Sequence, residues 1–312
     1  MTERLTENKI ILITRRTRLD ELIRRFNTEE QARFYVEHLG ADFSDYQAEH
    51  RTYKAAARRT GRSLARLGRL QVVDRDFVPN FIFGETDTVV ALGQDGLVAN
   101  VMKYLDRQLL IGVNPDPVRW EGALLPFVVE ELDELLPAVF AGESAVRRVT
   151  MARAELNTGE VLHGVNDLFI GPRSHFSARY ELRFGDRTES QSSSGIIVST
   201  GLGSTGWLRS ILAGATGIAA AVTGQASATQ HGAYEWDSEV LVFSVREPWP
   251  SKTSSAEVTF GRVSAEQPLT LVSRMPENGV IFSDGIEADF VQFNSGTSAT
   301  ISVAERKGRL VT

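Results

Sequence analysis

Two glycine-rich turns, far apart in the chain, hold the residues best suited to chemistry. The first is the stretch Val89-Val90-Ala91-Leu92-Gly93-Gln94-Asp95-Gly96. The second follows the apolar run 196–199 and is Thr200-Gly201-Leu202-Gly203-Ser204-Thr205-Gly206-Trp207. Small residues at such turns leave backbone N–H groups uncovered, so a phosphate or a sugar can approach closely. Because the carboxylate of Asp95 stands between two glycines, the pair predicts a nucleotide site built from two separate parts of the chain.

Asp95 follows a predicted central strand, and ligands of open parallel sheets bind at the carboxyl ends of strands. A carboxylate there can accept a proton from an attacking hydroxyl, or hold a metal ion attached to a phosphate. The alternative is a tight turn in which Asp95 caps the following helix through its side-chain oxygen. The turn matches neither the lysine-containing P-loop nor the full dinucleotide-binding fingerprint.

Three arginines, Arg15, Arg16 and Arg18, follow the first predicted strand. A loop there can clamp a phosphate through guanidinium donors; the alternative is an exposed helix start. The five histidines show no spacing typical of a metal site, so no protein-held metal is predicted.

Apolar strands alternate with helical patterns in the first part of the chain, which predicts a doubly wound, mostly parallel α/β domain over residues 1–145. Apolar spacing predicts one helix over 19–43 and another over 124–140. From residue 147 onward, short alternating runs separated by turn residues predict an antiparallel, β-sandwich-like domain over 146–312.

The composition limits the classes of function. The 312 residues are 42% hydrophobic and include no cysteine, which excludes disulfides, cysteine-ligated zinc and thiol catalysis. The net charge of −6 argues against a general affinity for nucleic acid or anionic membranes. No secretory signal and no apolar run long enough to span a membrane is visible, so we expect a cytoplasmic protein that binds small molecules.

Four ordered motifs resemble those of the NAD kinases, in particular the mitochondrial-type branch, within the superfamily that includes the diacylglycerol and sphingosine kinases. The likeness spans nearly the whole chain, and the order and separations of the motifs agree. The motifs are Gly93-Gln94-Asp95-Gly96, then Ile111-Gly112-Val113-Asn114-Pro115-Asp116-Pro117 with Glu121-Gly122, then Val165-Asn166-Asp167-Leu168-Phe169-Ile170, and finally Ser193-Ser194-Gly195 leading into Thr200–Trp207.

The resemblance implies transfer of a phosphoryl group from ATP, or from a polyphosphate, to the 2′-hydroxyl of NAD, giving NADP. It implies Mg²⁺ bound by the nucleotide, and a homodimer or larger homo-oligomer assembled through the β-rich domain. Asp95 would be the catalytic general base or positioning group at the acceptor ribose. Arg18 is the candidate for binding a phosphate. The residues implied to contact the nucleotides are Gly93, Gly96, Asn114, Asn166, Asp167, Thr200, Gly203, Ser204, Thr205 and Trp207.

Three residues depart from the motifs of that family. Gln94 replaces a glycine, Leu97 replaces a threonine or a similar small residue, and Asp167 replaces a glutamate. The first two lie where the donor phosphates are expected to pass. They motivate the first of two alternatives, and the lipid-kinase relatives motivate the second. One is a catalytically impaired module that senses NAD or NADP. The other is a kinase acting on a different hydroxyl acceptor, such as a sugar, a nucleoside or a lipid.

Overall fold

The structure, a computed structural model, describes residues 4–224, 233–287 and 289–312. The chain divides into two compact units. The first comprises the residues up to Arg147 together with Arg309–Thr312, and the second comprises Arg148–Gly308. The sequence gives no sign that the last four residues belong to the first unit.

A parallel sheet forms the centre of the first unit. Its strands are β1 (Lys9–Thr14), β2 (Arg69–Asp74), β3 (Thr88–Leu92), β4 (Leu109–Asn114) and the short β5 (Phe127–Val128). Its helices are α1 (Arg18–Phe26), α2 (Glu29–His38), α3 (Phe43–Leu67), α4 (Asp95–Met102) and α5 (Leu132–Ala141).

The strand order in this sheet is β2-β1-β3-β4, with every neighbouring pair parallel. The chain therefore leaves β1 on one side for β2 and later returns to the other side of β1 for β3. Such a reversal opens a crevice outside the carboxyl ends of the two strands that flank it, here β1 and β3. Apolar side chains of β1, β3 and β4 pack with α3 and α5 to form the buried core of this unit.

The segment predicted as one helix over 19–43 is two helices, so its continuity was predicted wrongly. α1 ends at Asn27, whose φ of 70° cannot continue a right-handed helix. The hydroxyl of Thr28 then accepts the amide of Gln31 and starts α2. The helix predicted over 124–140 begins only at Leu132, because residues 127–128 pair with β4 instead.

The second unit consists mainly of antiparallel strands and one long helix. Its elements, in chain order, are β6 (Val146–Leu156), β7 (Val161–Gly164), β8 (Asp167–Pro172), β9 (Ala178–Phe184), β10 (Arg187–Ser193), β11 (Ile196–Ser199), α6 (Trp207–Thr223), β12 (Leu241–Val245), β13 (Phe260–Val263), β14 (Leu269–Ser273), β15 (Gly279–Ser283), β16 (Phe290–Gln292) and β17 (Ser298–Val311). β6 and β17 each cross the division between the units, because residues 146–147 of β6 and residues 309–311 of β17 belong to the first unit.

Two sheets enclose the core of the second unit. One has the order β10-β9-β14-β17 and the other has the order β13-β12-β11-β8-β15-β16. Alternate apolar side chains from both sheets, such as Tyr180, Leu271, Ile170 and Phe243, meet in one buried cluster. The predicted fold class, a mostly parallel α/β part followed by an antiparallel β-sandwich-like part, is confirmed.

Across the described ranges, no helix is long and apolar enough to cross a membrane.

Candidate functional site

The first glycine turn lies at the carboxyl end of the fully buried strand β3. The amide of Gly93 donates to the carbonyl of Val113 at 3.1 Å, which fixes the turn to β4. Gln94 then takes an extended conformation, with φ −89° and ψ 162°, and occupies the cap position of α4. Glutamine is therefore compatible with this turn, because the position does not require the positive φ that favours glycine.

Asp95 is the first residue of α4, not its cap, so the alternative in which it caps the helix is wrong. Its Oδ1 accepts the amide of Leu124 at 2.6 Å, and its side chain is only partly buried. Its Oδ2 has no hydrogen-bond partner in the part of the chain that the structure describes. The carboxylate is thus held at one oxygen by the protein and is open at the other.

The loop that Asp95 contacts is packed tightly over β4. A Cβ atom on Gly112 would lie 1.9 Å from the carbonyl oxygen of Leu124, so only glycine allows this approach. Asn114 is 4% exposed, and its amide group donates to Trp120 O at 2.9 Å and accepts from Asp116 N at 3.0 Å. Asn114 therefore shapes this loop, and its contact with a nucleotide stays a prediction.

Arg18 is engaged by carboxylates. Its Nε donates to Glu49 at 2.5 Å and its Nη2 to Asp45 at 2.6 Å, while the guanidinium lies 4.5 Å from the ring centroid of Tyr46. Burial opposes ionisation of Glu49, but hydrogen bonds from Arg18 and Arg15 outweigh it and hold the pKa of Glu49 below its usual value. The role of Arg18 in binding phosphate stays a prediction, and any phosphate there would compete with two carboxylates.

Arg15, Tyr53 and Glu49 form a buried group that sequence reasoning did not assemble. The Arg15 amide donates to the Tyr53 hydroxyl at 2.8 Å, and that hydroxyl donates to Leu92 O at 3.0 Å. Burial raises the pKa of Tyr53 to about 12, so the hydroxyl stays protonated and available as a donor. These contacts join the ends of β1 and β3 across the crevice.

An open cavity of about 540 Å³ lies at these strand ends. It is lined by residues of the loop after β1, of α1, of α3 and of the first glycine turn. They are Arg15, Arg16, Thr17, Arg18, Glu21, Leu22, Arg25, Tyr46 and Gln94.

The second glycine turn is held by buried hydrogen bonds to its own backbone and to the backbone of residues 165–166. Thr200 donates its hydroxyl to the carbonyl of Val165 at 2.6 Å, and its amide donates to Asn166 O at 2.9 Å. The Ser204 hydroxyl donates to Gly201 O at 2.7 Å. A Cβ on Gly203 would lie 2.0 Å from Asn166 O, so this glycine is required for close packing. Thr200, Gly203 and Ser204 thus hold two backbone segments together.

Asn166 and Asp167 lie beside this turn because β8 and β11 are antiparallel neighbours, with Asp167 opposite Ser199. Asp284 follows β15 on the other side of β8, and its Oδ1 accepts the amide of Asn166 at 2.6 Å and that of Val165 at 3.0 Å. The family likeness noted in the sequence extends through Asp284-Gly285, but no role was assigned to Asp284 from the sequence.

Asp167 has an unusual electrostatic environment. Its residue is 9% exposed, and burial, followed by the negative charge of Asp284, raises its pKa to about 7. The Asp167 carboxyl therefore gains or loses a proton near neutral pH. In its neutral form it can donate a hydrogen bond to a ligand oxygen, which an ordinary aspartate cannot do.

Trp207 and Thr205 are the more open side chains of the second turn. The Trp207 ring stacks on Phe169, with centroids 6.0 Å apart and planes at 11°, and the Arg246 guanidinium lies 5.5 Å from its centroid. Thr205 is exposed, while Trp207 and Asn166 are half-buried.

Within the residues that the structure describes, no three His, Cys, Asp or Glu side chains are grouped so that they could hold a metal ion.

The predicted site residues fall into two clusters, one in each unit. Gly93, Asp95, Gly96, Asn114 and Arg18 belong to the first unit. The residues of the second unit are Asn166, Asp167, Thr200, Gly203, Ser204, Thr205 and Trp207.

No family model matches the sequence, and no curated protein matches it. Solved structures do match over nearly the whole chain. An NAD kinase from Archaeoglobus fulgidus in complex with ATP is 16% identical, with a TM-score of 0.55, covering 97% of this chain and 93% of that one. Yeast NADH kinase complexed with NADH is 14% identical, with a TM-score of 0.60, covering 98% and 84%. The resemblance noted in the sequence is confirmed at the level of the fold.

Proposed function

We propose that the protein is an NAD kinase-like phosphotransferase, which moves the γ-phosphoryl group of ATP, or the terminal group of a polyphosphate, to the 2′-hydroxyl of NAD. The observation that carries the proposal is the fold, which is similar over 97% and 98% of the chain to two kinases solved with ATP and with NADH. The placement of Asp95 at the end of β3 supports it, because the fold offers a carboxylate at a strand end where ligands bind.

Asp95 is suited to act on the acceptor hydroxyl. In the proposed step, the 2′-oxygen forms a bond to the γ-phosphorus while the bond from that phosphorus to the bridging oxygen breaks, and ADP leaves with the electron pair. The 2′-hydroxyl proton passes to Asp95 Oδ2, the oxygen not used to hold Leu124. Such a transfer depends mainly on alignment and on neutralised charge.

The second unit is proposed to bind the dinucleotide. Asn166 and the carboxyl of Asp167 would hydrogen-bond a ribose, and Trp207 would stack on a base or on the nicotinamide ring. That both glycine turns serve one site stays a prediction, as do the homodimer and the cytoplasmic location.

Mg²⁺ is expected to arrive with the nucleotide. Asp95 is the one acid of the first turn, residues 93–96. When bound to the phosphates, the ion would neutralise charge on the donor.

The test is to incubate the purified protein with Mg²⁺, NAD and either ATP or polyphosphate, and to measure NADP. We expect NADP with at least one donor, and its loss in Asp95→Asn. Absence of NADP with every donor and metal, together with an Asp95→Asn variant identical to wild type, would overturn the proposal.

An alternative is a sensor that binds NAD or NADP without turnover, and Gln94 motivates it. Gln94 lines the cavity next to the arginines, where its side chain can take space meant for a phosphate. Calorimetry would then show saturable NAD binding without NADP formation, and Gln94→Gly would raise activity. Leu97→Thr should not be combined with Gln94→Gly, because Leu97 is buried at 2% exposure. The smaller side chain would leave a cavity that lowers the free energy of unfolding by about 2 kcal/mol or more.

A kinase with a different acceptor is the remaining alternative. The same assay with sugars, nucleosides or lipids in place of NAD separates it from the first proposal, because the donor would then be consumed only with the other acceptor.

A further inference from the structure

A further cavity, of about 300 Å³, lies wholly within the second unit, on β9, on β10 and on residues that follow β12 and β14. Ala178 and Tyr180 of β9 point into the buried core, so Arg179 between them points to the outer face of the sheet. None of the residues proposed to contact a nucleotide lines this cavity. A ligand bound here would therefore be separate from the substrates of the proposed phosphotransfer.

Two arginines meet in this cavity from neighbouring strands. The amide of Arg274, which follows β14, donates to Arg179 O at 2.8 Å, so the two residues lie side by side across the β9–β14 pair. Like charges opposite each other on one face of a sheet repel. Arg274 is paired with Glu181 at 3.2 Å, but Glu181 is shared with Arg183, which it contacts at 2.5 Å.

The positive charge of Arg179 is not offset by the protein. Its side chain has no hydrogen-bond or carboxylate partner within the described ranges, and none of the described residues that line the cavity is acidic. The cavity is therefore suited to an anion.

Hydroxyl groups surround the two guanidinium groups. They belong to Ser190 and Ser192 of β10 and to Ser251, Thr253 and Ser254 of the segment after β12. Ser192 lies opposite Arg179 in the antiparallel register of β9 and β10. Because a hydroxyl both donates and accepts hydrogen bonds, this lining suits a ligand that itself carries hydroxyls.

The segment after β12 is fixed along the edge of β10. The amide of Trp249 donates to Ser192 O at 2.8 Å, and the amide of Ser255 donates to Ser190 O at 2.9 Å. This wall of the cavity is formed before a ligand binds, so little conformational freedom is lost on binding.

The indole ring of Trp249 adds an apolar surface to the cavity. The Ser254 hydroxyl donates to Trp249 O at 2.6 Å, yet the Trp249 residue is 69% exposed, so its ring is open to a ligand. An exposed aromatic face can pack against the face of a sugar ring. Ligand pockets span about 300–1,000 Å³, and this cavity lies at the small end of that range, which favours a single sugar over a dinucleotide.

We propose that this cavity binds a phosphorylated sugar of about the size of a hexose phosphate. Arg179 and Arg274 would bind the phosphate, the serine and threonine hydroxyls would bind the sugar hydroxyls, and Trp249 would pack against the ring. Guanidinium groups bind phosphate oxygens through paired N–H donors. A phosphate monoester carries about two negative charges at neutral pH, so it would offset the repulsion between the two arginines.

Calorimetric titration of the full chain with glucose 6-phosphate tests the site, with glucose and inorganic phosphate titrated separately. We expect saturable binding of glucose 6-phosphate, and at least about tenfold weaker binding of glucose and of inorganic phosphate, because each makes only part of the contacts. Equal affinity for inorganic phosphate and glucose 6-phosphate would overturn the assignment to a sugar.

Arg179→Gln should bind glucose 6-phosphate at least about tenfold more weakly, because charge-assisted hydrogen bonds are lost. Its melting temperature should be no lower than that of wild type, since Arg179 is exposed and the change removes a like-charge neighbour of Arg274. If melting shows that Arg179→Gln is unfolded, Arg274→Gln decides instead, with the same expected loss of affinity. Trp249→Ala should weaken binding of glucose 6-phosphate about threefold or more, but not that of inorganic phosphate.

Arg148→Gln is the matched control, because it removes the same charge from an exposed position of the second unit that does not line the cavity. Its affinity for glucose 6-phosphate should equal that of wild type. The inference would be overturned if wild type did not bind glucose 6-phosphate, if folded Arg179→Gln bound it as wild type does, or if Arg148→Gln lost as much affinity as Arg179→Gln. The NADP assay does not bear on these results, since no residue of this cavity belongs to the proposed kinase site.

Discussion

In the Asp95 carboxylate, Oδ1 accepts the Leu124 amide and Oδ2 is open. The contact that supports the loop and the proposed proton transfer therefore use different oxygens. Asp95→Asn keeps an oxygen to accept the Leu124 amide but replaces the second oxygen with a group that cannot take a proton. We expect NADP formation to fall by about 10²–10⁴-fold, with little change in melting temperature.

Asp95→Ala is the companion variant. It also removes the hydrogen bond to Leu124, so it should lose about 1 kcal/mol of stability in addition to activity. Full turnover by Asp95→Asn would show that the residue only supports the loop.

A second prediction at this scale concerns Asp167, whose pKa is raised from 3.8 to about 7 in the folded protein. Because its pKa is higher in the folded state than in the unfolded state, the Asp167 carboxyl is harder to ionise in the folded protein. Below about pH 4 both states are protonated and stability is unaffected. As the pH rises from about 4 to 7, the Asp167 carboxyl ionises in the unfolded chain while it stays protonated in the folded protein. The free energy of unfolding of wild type therefore falls over this range, and the whole loss is present above about pH 7.

Asp167→Asn removes this cost because its side chain does not titrate. Between pH 5 and pH 8, urea unfolding should show the free energy of unfolding of the variant gaining about 2–3 kcal/mol on that of wild type. A difference between the two proteins that does not vary with pH would mean that the Asp167 carboxyl is already ionised in the fold.

At the scale of elements, the glycines of the two turns differ in what they do. A Cβ on Gly203 would meet the backbone at 2.0 Å, whereas a Cβ on Gly96 would meet nothing within 4 Å. Gly203→Ala should therefore lower the free energy of unfolding by about 2 kcal/mol or more, because a backbone segment must move. Gly96→Ala should leave stability within about 0.5 kcal/mol and act only on ligand binding.

Chemical denaturation of both variants checks this contrast, and nucleotide titration of Gly96→Ala completes it. Weaker binding by Gly96→Ala, with unchanged stability, would indicate that a ligand passes over the turn. Comparable stability losses in the two variants would contradict the assignment of Gly203 to packing.

The sequence predicts elements well where the signal is local. The buried strands before Gly93 and Thr200 follow from continuous apolar runs, and both turns follow from their small residues. The break at Asn27 was missed because the apolar pattern continues through it, and only its φ of 70° shows the end of α1. The late start of α5 was missed because residues 127–128 pair with β4, a non-local contact.

The same distinction holds for the site. Asp95 was proposed from its glycine turn together with the family resemblance, and its catalytic role stays a prediction. The contacts of Arg15 with Tyr53 and Glu49, and of Asp284 with Asn166, join residues far apart in the chain. They follow from strand register, β1 beside β3 and β15 beside β8, which no local pattern in the sequence determines.

For the whole molecule, the proposal requires ligand contacts with residues of each unit. Hydrogen exchange with NAD and ADP present should then slow the amides of residues 93–97 and those of residues 165–167 and 203–207 together. The second half of α6 serves as the internal control, since no part of the proposed site lies there. Protection confined to one unit would contradict the roles proposed for the residues of the other unit.

The path of β17 has a consequence for how the protein is made. Val311 is fully buried in the core of the first unit, and Leu310 pairs with Leu110 of β4. When residue 147 has just been added to the growing chain, β4 can pair with β3 and with the two residues of β5, but β17 has not yet been made. The sheet of the first unit is completed only after a further 161 residues have been translated, so the half of the protein that is synthesised first is finished last.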